Sequence, residues 1–375
     1  MNTGLAALDF IRRPQAVFYD SSGLYTLSRH MLRDTATHRL YCFNLSDGTN
    51  RELPLKIPKL RSKHNPFIYI EDLLLFKDNL YIALSEPYIL CYRKNAAGRY
   101  VYRHTLELPY RAGRLYIAEG LMVAEDYFNY RPAVQGPKHT RMLIDPLSGR
   151  VKEVLFPDSS SLLFTSHTHH FSDICGTQSL AVQSAELRLL LGQYNRADYT
   201  DTIQLQHRYP ASCDVSGLRY NEGNSGPNHE QVRMLDKTCL ERIEKAIFLD
   251  ANRILVSINY PLNDSTAFSN SGKRMLVLKR TAMGWETVLD ELIRWEPVDD
   301  NGVRSIFFRA AYPYASITET FAHNGRLYAF NYGKPVLPDL PLDKEAYRQK
   351  CLEMYRQNPA LKDGLWLEVY DFSGL

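Results

Sequence analysis

Three of the four residues from His167 to His170 are histidines, the densest set of metal-capable side chains in the sequence. Neutral imidazole is the commonest nitrogen ligand of transition metals. In an extended segment neighbouring side chains point to opposite sides, so His167 and His169 can share a face that His170 leaves. The spacing is neither HExxH nor another with a recognised mechanism. Glu125 and Asp126 are the carboxylates that would join His167 and His169, and a divalent cation is the one cofactor such a set could take. A hydrogen-bonded loop cluster is the competing account of the same histidines.

A second pattern is an echo. Asn129-Tyr130-Arg131-Pro132, Asn259-Tyr260-Pro261 and Asn331-Tyr332-Gly333-Lys334-Pro335 each follow an apolar run. Read functionally, these are amide and phenol groups brought to one mouth, where they hydrogen-bond a polar ligand and stack on it. Read structurally, Asn bonds to backbone in a repeated turn and Pro ends a strand. The two readings are compatible. Arg309, Tyr312 and Tyr314, in FFRAAYPYAS, would add cationic and aromatic lining to that mouth, with core packing as the alternative for the tyrosines. The ligand-binding set expected from sequence is therefore Asn129, Tyr130, Asn259, Tyr260, Arg309, Tyr312, Asn331, Tyr332 and Lys334.

Other candidates carry less. VDDNG from Val298 has calcium-loop flavour without the DxDxDG pattern and its distal Glu. NEGNSGPN from Asn221 lacks the strand-to-helix setting of a phosphate loop. No GxSxG elbow is present, so nucleophilic hydrolase chemistry has no support.

The elements that must position these residues repeat six times. Apolar run, tight turn and apolar run recur in AVFYDSSGLYTLS from Ala16, LLLFKDNLYIALS from Leu73, LYIAEGLMVAE from Leu115, SDICGTQSLAVQS from Ser172, AIFLDANRILVSI from Ala246 and TETFAHNGRLYAF from Thr318. Each reads as the inner hairpin of a propeller blade. Outer hairpins follow, such as RLYCFNL with RELPLKI and RMLVLKR with WETVLDEL. The last copy has a third strand, LWLEVYDFSGL, and no fourth. LAALDFIRR from Leu5 is a spare strand that would pair beside Leu365 to Phe372 and remove an exposed edge. The expectation is an all-β, single-domain, six-bladed β-propeller over residues 1–375, with four-stranded antiparallel blades and the last blade closed by the N-terminal strand.

In such a ring the first-to-second and third-to-fourth turns lie on one face, and all the long connections fall on the other. Long loops on a rigid scaffold are where binding groups concentrate. Two of these insertions have helical periodicity, about 228–245 and 343–358. The first places Val232, Leu235, Cys239, Leu240 and Ile243 on one side, with Asn228 as N-cap. The second does the same with Ala346, Tyr347, Cys351, Met354 and Tyr355.

Composition narrows the classes. The 45 basic and 42 acidic residues are interspersed and leave a net charge of +3, which offers no field for nucleic acid. No stretch approaches the ~20 apolar residues of a membrane span, and the first fifteen residues lack a signal-peptide pattern. As written the chain is expected in the cytoplasm, or outside it if a leader has been cut away. Six scattered cysteines without CxxC spacing are expected to be reduced and mostly buried.

The strand ending LEVYDFSG and the hairpin ending NGRLYAF resemble the six-bladed propellers of the NHL and TolB-like superfamily. That group includes protein-binding and glycan-associated modules as well as metal-dependent lactonases and lyases. In the lactonase branch Glu, Asn and Asp from separate blades hold a divalent cation on the axis, and Glu125, Asn259 and Asn331 fall at comparable strand exits here. The expected function is a binding or scaffold propeller whose long-loop face engages a protein, a peptide or a polar ligand such as a glycan. The alternative is a metal-assisted hydrolase or lyase with its site on the same axis.

Overall fold

The computed structural model describes residues 2–6, 15–18, 23–30, 37–53, 55, 57–58, 70–127, 139–157, 172–183, 186–207, 241–261, 271–293, 320–332, 353, 357 and 364–375. Among them, six four-stranded antiparallel sheets form a ring of blades. Blade 1 contains β2 (Gln15–Phe18), β3 (Gly23–His30), β4 (Thr37–Asn44) and β5 (Asn50–Leu53), preceded in the chain by β1 (Asn2–Ala6). Blade 2 contains β6 (Ile70–Phe76), β7 (Asn79–Leu84), β8 (Tyr88–Lys94) and β9 (Tyr100–Glu107). Blade 3 contains β10 (Arg114–Ala118), β11 (Leu121–Tyr127), β12 (His139–Ile144) and β13 (Val151–Leu155). Blade 4 contains β14 (Ser172–Cys175), β15 (Gln178–Gln183), β16 (Arg188–Gln193) and β17 (Tyr199–Gln204). Blade 5 contains β18 (Arg242–Asp250), β19 (Arg253–Pro261), β20 (Ser271–Thr281) and β21 (Gly284–Ile293). Blade 6 contains β22 (Thr320–His323), β23 (Arg326–Tyr332) and β24 (Gly364–Asp371).

The six-bladed expectation holds, and so does the closure. In blade 6 the order is β1-β24-β23-β22, so the N-terminal strand supplies the missing fourth member. Asn2 pairs with Trp366 and Ala6 with Gly364. The closing strand therefore starts nearer the N-terminus than the expected Leu5, and residues 7–14 lie outside the described residues.

Turn chemistry explains the outer hairpins of blades 1 to 3. Asn44, Asn95 and Asp145 each accept, through a side-chain oxygen, the amide of the residue two positions on. Gly48, Gly98 and Gly149 then donate back to the carbonyls of the same three residues. At Gly149 φ is +71°, and an added Cβ would lie 2.3 Å from Leu106 Cδ2, so the turn requires glycine.

One helical expectation needs correcting. The first insertion was expected helical through Lys245, yet Arg242–Lys245 belong to β18, where Ile243 pairs with Ile258 and is 1% exposed. Burial and strand pairing outweigh local periodicity there, and residues 228–240 lie outside the described residues. In the second insertion Glu353 and Gln357 are helical and exposed, four residues apart on the polar side.

The core divides into six apolar clusters, one at each seam between blades. Alternation sends successive side chains of every strand into opposite seams. The cluster of Leu24, Tyr41, Phe43, Tyr328 and Leu367 joins blade 1 to blade 6 and completes the circle. The first strands of successive blades from β2 to β22 pack against one another and make the inner ring. Cys42, Cys91 and Cys175 carry no disulfide.

Candidate functional site

Loop lengths distinguish the two faces of the disc. On one face the turns are short: 77–78, 119–120, 176–177, 251–252 and 324–325 between first and second strands, and 45–49, 95–99, 145–150, 194–198 and 282–283 between third and fourth. On the other, 54–69, 128–138, 156–171, 205–241, 262–270, 294–319 and 333–363 link the strands, with 31–36, 85–87, 108–113 and 184–187 as short exceptions. Asn259 and Tyr260 fall in the last residues of β19, and Asn331 and Tyr332 close β23, so these two copies of the echo do sit at strand exits toward the long-loop face. Asn259 pairs with Arg242 and Lys273, and Asn331 pairs with Trp366. Asn129, Tyr130, His167, His169, Arg309, Tyr312 and Lys334 lie outside the described residues.

Glu125 and Asp126 are adjacent in β11 and therefore face different seams. Both are buried, at 2% and 3% exposure. Glu125 Oε1 accepts from Arg141 Nε at 2.9 Å and from Arg141 Nη2 at 2.8 Å, and lies 2.8 Å from His139 Nε2. Asp126 takes a two-point bond from Arg111, at 3.1 and 3.0 Å. Each carboxylate is thus committed to its own arginine, in a different seam. No group of three or more His, Cys, Asp or Glu converges to hold a metal among the described residues.

What does converge is a set of ionisable groups on the first strands of blades 2 to 5. Asp72 on β6 is buried. Its Oδ1 accepts the amide of Leu73 and its Oδ2 the amide of Leu115 on the next blade's β10, both at 2.9 Å. Arg114 Nη1 lies 3.8 Å from Asp72 Oδ1. Asp173 on β14 repeats the device, accepting the amide of Phe248 on β18 at 2.7 Å. Each aspartate clips its own innermost strand to that of the following blade.

Asp72 is buried and Asp173 partly so, and their titration reflects it. Burial pushes Asp173 up to about 6, against the opposing pull of the Phe248 amide and of the Arg114 and Lys245 charges. Burial also raises Asp72, with Arg114 the main counterweight. The Tyr116 phenol on β10 is raised well above its usual value, first by burial and then by Asp173 and Glu125. Perturbed groups gathered at one place are a mark of functional sites, though ion-pair networks produce the same sign.

A second polar cluster lies at the seam of blades 4 and 5. Glu241, fully buried, takes Arg274 Nη1 at 3.1 Å and lies 3.5 Å from Nδ1 of the exposed His207. Arg274 also forms a two-point pair with Asp290, both bonds 2.9 Å, and donates to the Gln206 carbonyl at 2.7 Å.

Sequence reasoning missed Asp72, Arg114, Tyr116, Asp173 and Lys245, as well as His139 and Arg141. A signal was present: a charge at an inward phase of an otherwise apolar strand, as in IEDLLLF, HTRMLI and RIEKAIFLD. Such a residue is almost never buried without a partner.

No family model matches the chain, and no curated protein does. Among solved structures it is similar to a Bacteroides fragilis protein described as exported, at 11% identity with a TM-score of 0.51, covering 96% of this chain and 91% of that one. A Myxococcus xanthus glutaminyl cyclase overlays with a TM-score of 0.33 at 10% identity, covering 78% of this chain and 94% of that one. At such identities the first likeness speaks to fold alone. With the sheet order, it defines the class: a six-bladed β-propeller. Among the described residues no helix is long and apolar enough to cross a membrane.

Proposed function

We propose that this propeller is a binding protein that engages a protein, peptide or polar ligand through its long-loop face. The observation behind it is the loop asymmetry: every long connection is a second-to-third or fourth-to-first link, and these share one face. A rigid ring with six seams is a scaffold that can carry such insertions without loss of fold. The NHL and TolB-like group is the finer assignment we favour, on the blade motifs given above. An enzymatic reading, as a metal-assisted hydrolase or lyase, would need ligands brought in by His167 and His169.

Cross-linking of the purified chain to bound partners, with the linked residues mapped by mass spectrometry, tests the reading. Links concentrated at 54–69, 128–138, 156–171, 205–241 and 294–319 support it. Links confined to the short turns, such as 119–120 and 145–150, overturn it. A stoichiometric divalent ion, with a thermal stabilisation that chelator reverses, would favour the enzyme instead.

A further inference from the structure

We propose that Asn324 is a site of spontaneous deamidation, and that the packing of blade 6 against blade 5 sets its rate. The residue lies in the turn 324–325 on the short-turn face, away from the loops assigned to binding above.

The turn supplies both reactants. Asn324 and Gly325 are the two residues between β22 and β23, with φ of +50° and +74°, a conformation that selects Asn followed by Gly. The same pair is the one in which a side-chain amide cyclises most readily, because the attacking residue has no side chain to hinder its approach. In that step the Gly325 nitrogen bonds to Cγ of Asn324 and the Cγ–Nδ2 bond breaks. The amide proton leaves with Nδ2 as ammonia, and water then opens the cyclic imide to aspartate or isoaspartate. Asn324 is exposed, so water and hydroxide reach it, and its Nδ2 lies 3.1 Å from His323 Nε2. Among the described residues the other turns between first and second strands lack this pair: they read Lys77-Asp78, Glu119-Gly120, Gly176-Thr177 and Ala251-Asn252.

What restrains the reaction is the neighbouring blade. The Gly325 N–H donates to the Leu249 carbonyl near the end of β18, and the Gly325 carbonyl accepts the Phe372 amide, both at 3.0 Å. Gly325 is buried, and a Cβ added there would lie 2.5 Å from Arg253 Nη2 and 3.3 Å from Asp250 Oδ2. Arg253 is itself fixed, paired with Asp250 through Nε and Nη2 and donating from Nη1 to the Phe372 carbonyl. Phe372 packs in the same seam with Leu249 and Leu327. The attacking nitrogen is thus bonded to blade 5, and it reaches Cγ only when this corner of the seam opens locally. Isoaspartate adds one main-chain atom to a two-residue turn and shifts Gly325 off Leu249, so a molecule that has opened and reacted does not close as before.

The test is peptide mapping by mass spectrometry after incubation of the full chain in mildly alkaline buffer, beside a synthetic peptide of residues 320–330. Mapping separates Asn324 from the second Asn-Gly pair of the sequence, Asn301-Gly302. Asn324 in the folded chain should convert at least about tenfold more slowly than in the peptide, because a hydrogen bond and the packing around it must first be broken. The Gly325 amide should be protected from hydrogen exchange by a comparable factor. Phe372→Ala and Arg253→Met, which loosen the corner, should each bring the rate back toward that of the peptide and lower the protection in step. If either variant folds poorly, wild type in sub-denaturing urea supplies the same comparison. Conversion of the folded chain at the peptide's rate overturns the proposal. So does a slow rate that neither the variants nor urea accelerates, and so does a peptide that does not convert.

Discussion

Blade 4 belongs to two seams built from opposite materials. Toward blade 5 it presents Leu180, Val182, Leu189 and Leu191, and the cluster there holds fourteen buried apolar residues. Toward blade 3 it presents Ile174, Ser179 and Gly192, and among the described residues the apolar cluster shrinks to five. The space is filled instead by Glu125, His139 and Arg141, all nearly inaccessible to solvent. Arg141 Nη1 reaches across to the carbonyls of Tyr194 and Arg196, each at 3.1 Å. A bulge at Gly192 brings that turn inward, and a Cβ there would lie 2.8 Å from the Asp198 carbonyl. Small residues on one blade thus make room for a buried charge on the other.

Apolar burial tolerates gradual change, whereas a buried ion pair fails abruptly when one partner is lost. The largest effect should therefore come from Arg141→Met. It leaves Glu125 in the seam without its guanidinium and several carbonyls without their donor, and should cost about 3–5 kcal/mol in denaturant unfolding. The double variant Glu125→Gln, Arg141→Met should recover part of that loss. A neutral single variant would mean that the polar seam is not held by its charges. In the apolar seam, Leu180→Ala should cost about 2–5 kcal/mol, set by how far the cavity collapses. A loss no greater than that of a surface substitution would break the contrast from the other side.

A third difference is pH. Asp173 points from blade 4 to blade 5, and its carboxyl titrates near about 6 in the folded chain against 3.8 for the free side chain. Between those values the native state binds more protons than the unfolded state, so stability falls as pH rises through the window. The contribution is full below about pH 4 and lost above about pH 6. Since Asp173 is only half-buried, the swing should be on the order of 2 kcal/mol after allowance for solvent. Asp173→Asn should remove it, read as the difference between wild-type and variant stability across pH 4 to 7. Parallel pH curves for the two proteins would show that the latch carries no such coupling.

How much of this was legible from sequence follows from which interactions are local. Hairpins announce themselves because turn residues and alternation lie within a dozen positions, as in LLLFKDNLYIALS. The closure was legible for a different reason: a missing strand at one end and a spare one at the other. The inner-ring site was not. Asp72 and Leu115, or Asp173 and Phe248, come together only when blades stack, and nothing near Asp173 in sequence names its partner 75 positions away. Glu125 was singled out as a metal ligand because a carboxylate at a strand exit is the local sign of one. Its arginine, two residues inside the next strand, becomes its partner only through the pairing of β11 with β12.

The smallest expected effect separates a charge that the polar seam needs from a polar atom that it merely contains. Ser179 is fully buried, and among the described residues its Oγ has no hydrogen-bond partner. A buried hydroxyl without a partner is a cost to the fold, because it gives up water and gains nothing in return. Its neighbour across β16 is Gly192, whose bulge shapes the turn that receives Arg141. The hydroxyl is a by-product of keeping that wall small. Ser179→Ala keeps the size and removes the cost, so stability should stay unchanged or rise by up to ~1 kcal/mol. Ser179→Val, larger but apolar, should instead destabilise by crowding the arginine. A loss on Ser179→Ala comparable to that of Arg141→Met would place the hydroxyl inside the network, and the seam's polarity would then be a single connected device rather than one ion cluster beside a small-residue wall.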